Sequence, residues 1–276
     1  MTTFSAGCDG SVRMWNATQH ASSAQIIGKH DAPIRCLKYV KEMNLVATGS
    51  WDKTVKLWDT RSPNPAAQVQ LGERVYAMDA SSPAIVIGTA DRHFHVYDLS
   101  QGLSKCLKKY LSRMEYQTRS ISIFSQKDGF AAGCIEGRCM IEYFNEMNEK
   151  PATTKRGYVF KCHRVKQNKN VDASPQDVYG VNAIAFASRN ACAFATGGSD
   201  GNIAIWDKDG KARLTVLDKF EKQSTISALT FNPMNNLLFY AHSYDWSMGQ
   251  HSPLVQSRNE IWIHPVDPME ITRKSK

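Results

Sequence analysis

The stretch "GGSDG" at residues 197–201 has the G-x-S-x-G spacing of a nucleophile elbow, in which a strained turn lifts a serine hydroxyl toward a histidine base. That chemistry needs a strand-to-helix turn with acid and histidine partners downstream. Ser199 lies instead in a strand-turn-strand pattern, so no hydrolase is expected. Cys162 and His163 have side chains able to hold zinc, and His30 in "GKHDAP" could act as a base. The seven cysteines are scattered without C-x-x-C spacing, which argues against a metal site and against a disulfide framework. The chain also lacks H-E-x-x-H, G-x-x-x-x-G-K-[ST] and G-x-G-x-x-G. A non-enzymatic chain with no cofactor and no metal is expected, its thiols reduced in an intracellular setting.

The chemistry that stands out is that of binding. Residues 150–170 hold seven basic side chains (Lys150, Lys155, Arg156, Lys161, Arg164, Lys166 and Lys169) and no acid, against a net charge of +8 for the whole chain. Such a run is either a solvated loop or a surface for an acidic partner. "AHSYDWSMGQHSPL" at 241–254 places Trp246 where a small polar residue would serve a turn better. Trp and Arg are favoured binding anchors, so Trp246 is read as an anchor, the alternative being a lid folded over its own strands. Trp51 holds a corresponding turn earlier in the chain and extends the same surface.

These residues need a scaffold, and the chain supplies a repeated one. Five stretches share a plan of small apolar strand, acidic tight turn and alternating strand closed by an aromatic: "FSAGCDGSVRMWN", "VATGSWDKTVKLWD", "IVIGTADRHFHVYD", "FAAGCIEGRCMIEYF" and "FATGGSDGNIAIWD". Asp9, Asp52, Asp91 and Asp200 hold the turn acid, with Glu136 in the fourth unit. The closing aromatics are Trp15, Trp58, Tyr97, Tyr143 and Trp206, and Trp262 follows the unusual stretch, at spacings of 43, 39, 46, 63 and 56 residues. A period near forty with short strands is that of an all-β WD-repeat β-propeller. The first unit begins in its second strand and the last ends after its third. The expectation is therefore an incomplete ring of about five and a half blades, lacking an N-terminal blade and a half, the alternative being a natural short propeller.

Residues 1–265 are expected to form one propeller domain and 266–276 a basic polar tail. No run approaches 18 apolar residues and the start has no basic and apolar leader, so neither a membrane helix nor a secretory signal is expected. In an antiparallel meander, second-to-third-strand turns and blade-to-blade links emerge on one face. That rule puts Arg164, Lys166 and Lys169 on the face of the Trp246 loop, with Lys161 near its base, and Lys150, Lys155 and Arg156 on the opposite one.

The pieces "KHDAPIR", "TGSWDKTVKLWDTRSPNP", "IEGR", "VFKCHR", "SPQDVYGVNAIAF", "GSDGNIAIWDKD" and "SYDWSMG" cover nearly all of residues 3–265. In order and spacing they resemble the WD-repeat messenger-RNA export factors of the nuclear pore, the RAE/GLE family, whose members are seven-bladed. The resemblance makes His30 a structural histidine that hydrogen-bonds within its blade. It implies a scaffold of the nucleus and nuclear envelope, shuttling to the cytoplasm. Such a scaffold binds an acidic, hairpin-like GLEBS segment of a pore protein, and single-stranded RNA. By position, Tyr244, Asp245 and Trp246 belong to the partner face, and Lys161 and Arg164 of "FKCHR" to a basic groove for RNA. The family form near "SKGHE" reads "SMGQH" here, so Met248 removes a positive charge and His251 stands near an expected acid. This weakens the RNA role of the loop more than the anchor role of Trp246. The related mitotic-checkpoint propeller, which binds GLEBS-like segments of checkpoint kinases, is the alternative. A ubiquitin-ligase adaptor has no positive support in the sequence.

Overall fold

The computed structural model describes residues 2–16, 24–62, 64–144, 156–168, 174–190, 192–217, 225–250 and 259–273. The chain divides into two compact units, Met1–Thr118 and Arg119–Lys276. The first contains three antiparallel sheets. They comprise β1 (Thr2–Ala6), β2 (Ser11–Asn16) and β3 (Gln25–Lys29); β4 (Ile34–Val40), β5 (Leu45–Ser50), β6 (Thr54–Asp59) and β7 (Pro65–Gln70); and β8 (Val75–Ser81), β9 (Ala84–Thr89), β10 (His93–Asp98) and β11 (Cys106–Leu111).

The second unit repeats the plan with β12 (Thr118–Ile123), β13 (Gly129–Cys134), β14 (Arg138–Tyr143) and β15 (Tyr158–Lys161). A two-stranded ribbon follows, β16 (Arg164–Lys166) and β17 (Gln176–Val178). Next come β18 (Val181–Phe186), β19 (Ala193–Gly198), β20 (Ile203–Asp207) and β21 (Ala212–Leu217), then β22 (Ile226–Phe231), β23 (Leu237–His242) and β24 (Glu260–Pro265). The expected all-β, blade-type architecture is what the chain adopts. The count of five and a half is corrected to six blade sheets, each carrying one of the six closing aromatics. In the first stretch β1 and β3 both pair along β2 and form a three-stranded sheet.

Strand composition follows depth within each sheet. The second strands β9, β13 and β19 are buried along their whole length and read as continuous small and apolar runs. The outer strand β7 alternates between half-buried and exposed, as a one-sided strand should. Two glycines set how closely sheets approach. A Cβ on Gly49 would fall 2.7 Å from Val75 Cγ1, and one on Gly197 2.4 Å from Ile226 Cγ2. The apolar core forms where successive sheets meet, as where Phe124, Ile141 and Tyr143 pack with Ile184, Phe186, Phe194 and Trp206.

The recurring acid has a local cause. In five turns it is followed by a residue in the left-handed region: Gly10, Lys53, Arg92, Gly137 and Gly201. Asp9, Asp52 and Asp200 each accept a hydrogen bond from the backbone N–H two residues on, at 3.1, 2.8 and 3.1 Å. This is the self-bonding by which Asp replaces a backbone partner in a tight turn. His30 is structural, as expected. Trp58 Nε1 donates to Thr48 Oγ1 at 2.8 Å, and that oxygen lies 2.8 Å from His30 Nε2. His30 Nδ1 lies 2.8 Å from Asp52 Oδ2. With the hydroxyl donating to Nε2 and Nδ1–H to the carboxylate, neutral His30 satisfies every polar group in the chain of contacts. Burial pushes its pKa down, against the opposing hydrogen bond to Asp52. Trp206, Thr196, His163 and Asp200 repeat the network at 2.9, 2.9 and 2.8 Å.

Candidate functional site

The turn between β23 and β24 follows the rule of the other five turns up to a point. Asp245 Oδ1 accepts from Ser247 N at 3.1 Å, and Trp246 takes the left-handed position with φ of 59°. Trp246 therefore stands where the other turns place Gly, Lys or Arg. A β-carbon in this conformation costs about 1 to 2 kcal/mol, and nothing in the turn requires an indole. Trp246 is 62% exposed. Behind it, the Tyr244 hydroxyl donates to Gly249 O at 2.8 Å and accepts from Met248 N at 3.0 Å. The Tyr244 and Trp246 rings lie 5.5 Å apart with a 40° tilt. Tyr244 is buried and Met248 is 69% exposed, so the loop presents an apolar surface of Trp246 and Met248 on a tyrosine post.

Asp245 has a different part from Trp246. Its carboxylate side chain is 2% exposed and accepts hydrogen bonds from the Ser199 hydroxyl and from Asn182 Nδ2, the latter at 3.0 Å. Arg119 Nη2 adds a contact to Asp245 O at 3.3 Å and lies 3.6 Å from Oδ2. Burial opposes ionisation, but the hydrogen bonds from Ser199, Ser247 and Asn182 outweigh it and hold the carboxyl below its ordinary range. The latch draws on β12, β18 and the β19–β20 turn, so two neighbouring sheets fix the base of the loop. Ser199, the elbow-like serine of the sequence, is thus a donor to a structural carboxylate. The ring of His163 is committed to Thr196 and Asp200.

Trp51, in the β5–β6 turn of the first unit, is 43% exposed. Tyr76 meets it edge-on at 6.5 Å, and the Arg74 guanidinium sits 6.0 Å from the Trp51 ring and 5.8 Å from that of Tyr76. This stack combines an aromatic face with a cation suited to carboxylates. Arg74 has no distinguishing sequence context; only the sheet register reveals it.

The basic residues divide. Lys161, at the end of β15, is exposed. Arg164 is largely enclosed, with Nη2 donating to Glu136 O at 2.8 Å and lying 3.5 Å from its carboxylate. Arg138 lies 3.0 Å from the same carboxylate. Two arginines share one acid beside Lys161, which leaves this corner with a positive balance. Lys166 is half-buried on the ribbon, and Lys169, Lys150, Lys155 and His251 lie outside the described residues. Arg164 and Lys166 lie in the link between β15 and β18, and Arg156 precedes β15. Among the described residues no cluster of His, Cys, Asp and Glu could hold a metal ion, and no helix is long and apolar enough to cross a membrane.

The "WD domain, G-beta repeat" profile matches residues 22–59 and 172–207, the segments that end in Trp58-Asp59 and Trp206-Asp207. The chain is 41% identical over 255 residues to the "Poly(A)+ RNA export protein" of Schizosaccharomyces pombe, covering 91% of this chain and 68% of that protein. It is 40% identical over 264 residues to "mRNA export factor GLE2" of Chaetomium thermophilum, covering 95% and 70%. It is also 37% identical over 278 residues to "Mitotic checkpoint protein BUB3.1" of Arabidopsis thaliana, covering 99% and 77%.

Proposed function

This chain belongs to the Rae1/GLE2 family of WD-repeat mRNA export factors, and we propose that it is a non-enzymatic scaffold of messenger-RNA export. In this reading it docks on an acidic, GLEBS-type segment of a nuclear-pore protein and contacts single-stranded RNA. The observation that carries the proposal is Trp246, 62% exposed and held in a left-handed turn whose base is latched by three elements. A fold with no use for that ring presents it at a conformational cost, as a preformed anchor does. Tyr244 supports the ring and Asp245 positions the turn; within the first unit, Trp51 with Arg74 is by itself a contact suited to an acidic chain. Lys161 is the phosphate contact, Arg164 with Glu136 shapes the corner beside it, and Lys166 and Lys169 extend the positive link. The protein acts at the nuclear envelope and in the nucleus.

Calorimetry with a synthetic GLEBS-type peptide tests the anchor. Trp246→Ala should weaken binding by more than about 2 kcal/mol, roughly thirtyfold, and unchanged affinity would remove Trp246 from the site. For RNA, Lys161→Glu should weaken binding to a single-stranded oligonucleotide and flatten its salt dependence. An unaltered slope would assign that corner to another partner. The similarity to the checkpoint protein supports a second reading, in which the same face takes a GLEBS-like segment of a checkpoint kinase. Co-purification of such kinases without pore proteins would favour it.

A further inference from the structure

The strand β11 is the most exposed of the outer strands that close a four-stranded sheet. Five of its six residues are exposed, against three of six in β7, one of four in β15 and two of six in β21. Its sheet is described in full from β8 to β11, so this free edge is a property of the blade itself. Leu107 and Leu111 are each 51% exposed. Residues 99–114 around them hold Lys105, Lys108, Lys109 and Arg113 and no acid.

The register fixes what this edge offers. Ser112 N donates to Arg92 O at 2.8 Å, and β11 pairs with β10 as Leu111 with His93, Tyr110 with Phe94 and Lys109 with His95. Hydrogen-bonded pairs alternate along an antiparallel ladder, so Tyr110 turns its backbone groups to β10 while Lys109 and Leu111 turn theirs to the free edge. The side chains of Lys109 and Leu111 share one face with His93 and His95. His95 is 6% exposed and makes no hydrogen bond among the described residues. Burial lowers its pKa, so at neutral pH the ring is uncharged and one nitrogen carries a proton to donate. Lys109, directly across from it, makes no ion pair among the described residues.

We propose that β11 is a docking edge for an acidic extended segment of a partner protein, which adds antiparallel beside Lys109 and Leu111. Strand addition draws affinity from main-chain hydrogen bonds and selects side chains at every second position. The segment that fits has a carboxylate facing Lys109 and His95, and two residues before it an apolar side chain against Leu111. Lysine on an edge ordinarily keeps other strands away, and the same charge admits an acidic one. A second copy of β11 fits poorly. Centred on Lys109 or Leu111 it opposes like charges, and centred on Tyr110 it sets each Lys109 against a leucine. Half-exposed leucines suit amino-acid side chains better than single-stranded RNA, whose bases call for exposed aromatic rings. The edge lies within the first unit and is independent of Trp246 and of the reading given to that loop.

Fluorescence anisotropy with a labelled synthetic peptide, Ser-Thr-Leu-Thr-Glu-Thr-Val-Thr-Ser, tests it on the full 276-residue chain. Lys109→Glu should weaken binding roughly tenfold or more, and because Lys109 is exposed the thermal midpoint should hold. His95→Phe keeps a ring and removes both nitrogens, and should weaken binding about threefold. Methylation of single peptide nitrogens gives a readout that charge alone does not move. Methylating the glutamate or leucine nitrogen, which faces β11, should abolish binding, and methylating the threonine nitrogen between them should not. Affinity indifferent to Lys109→Glu, or methylation that acts without regard to position, would overturn the proposal, as would no binding up to about 1 mM peptide. Loss of binding on Trp246→Ala or Arg74→Ala would place the peptide on those surfaces and overturn it too. So would a uridine oligonucleotide whose binding depends on Lys109 when that of the peptide does not.

Discussion

The Trp51 and Trp246 turns use the same device in opposite senses. In the first the tryptophan precedes the acid, and Lys53 takes the left-handed position. In the second the tryptophan follows the acid and takes that position itself. Each acid is nearly buried, with 9% of the Asp52 side chain and 2% of the Asp245 side chain exposed. Their partners differ. Asp52 closes the His30–Thr48–Trp58 network inside its own sheet, where it serves the fold. Asp245 reaches Ser199, Asn182 and Arg119 on neighbouring sheets and, among the described residues, meets no histidine, so it serves the placement of a loop. One acid holds a blade together and the other holds an indole out.

The largest expected effect separates those two roles. Asp52→Ala removes the acceptor of a fully buried imidazole and should cost about 3 kcal/mol of unfolding free energy. Asp245→Ala should cost under about half of that, because the donors it releases lie closer to solvent. Denaturant unfolding of the two variants side by side checks the contrast, and equal losses would erase it. Affinity should reverse the order. Asp245→Ala and Ser199→Ala should weaken a GLEBS-type peptide by roughly tenfold, about 1.4 kcal/mol, by loosening the base of the Trp246 loop. Ser199→Thr, which keeps the hydroxyl, should restore much of it. Loss of affinity in step with global stability would instead mean that Ser199 is only structural.

What the sequence could reveal followed the same division. Period and closing aromatics made the blades legible, since every strand that repeats has the same two faces to satisfy. The half-blade count arose because β1, β2 and β3 form a sheet of their own, a matter of pairing rather than composition. The Trp58 network was legible at His30, but its twin was not. His163 and Trp206 lie 43 positions apart where His30 and Trp58 lie 28, because the β16–β17 ribbon intervenes. "SYDWSMG" stood out, yet its Asp245 is a sixth turn acid, recognisable from the five acid-then-left-handed pairs before it. Arg119, Asn182 and Arg74 carried no signal, because their importance comes from neighbours distant in sequence.

A smaller effect bears on the cost of display. Trp246→Gly should relieve the left-handed strain and raise unfolding free energy by about 1 kcal/mol while removing the anchor. Thermal unfolding and calorimetry on that one variant should therefore move in opposite directions. A fall in both would mean that the ring packs as a lid and belongs to the fold.

The smallest effect is a difference in response to acid. His30 is neutral in the folded chain because burial lowers its pKa, so below about pH 6.5 the unfolded chain binds more protons. The stability it contributes is fully present above that pH and is lost as the pH falls through it. His95 and His242 are shifted the same way by burial, so only the part of the slope that disappears in His30→Gln belongs to this network. Asp245, held below the ordinary carboxyl range, stays charged throughout the window. Amide protection, corrected for intrinsic exchange, should therefore fall between pH 7.5 and 5.5 around Trp51 to Lys53 and hold around Asp245 to Gly249. Parallel losses at both turns would show that the two acids answer to one cooperative unit and that the division of labour between them is not real.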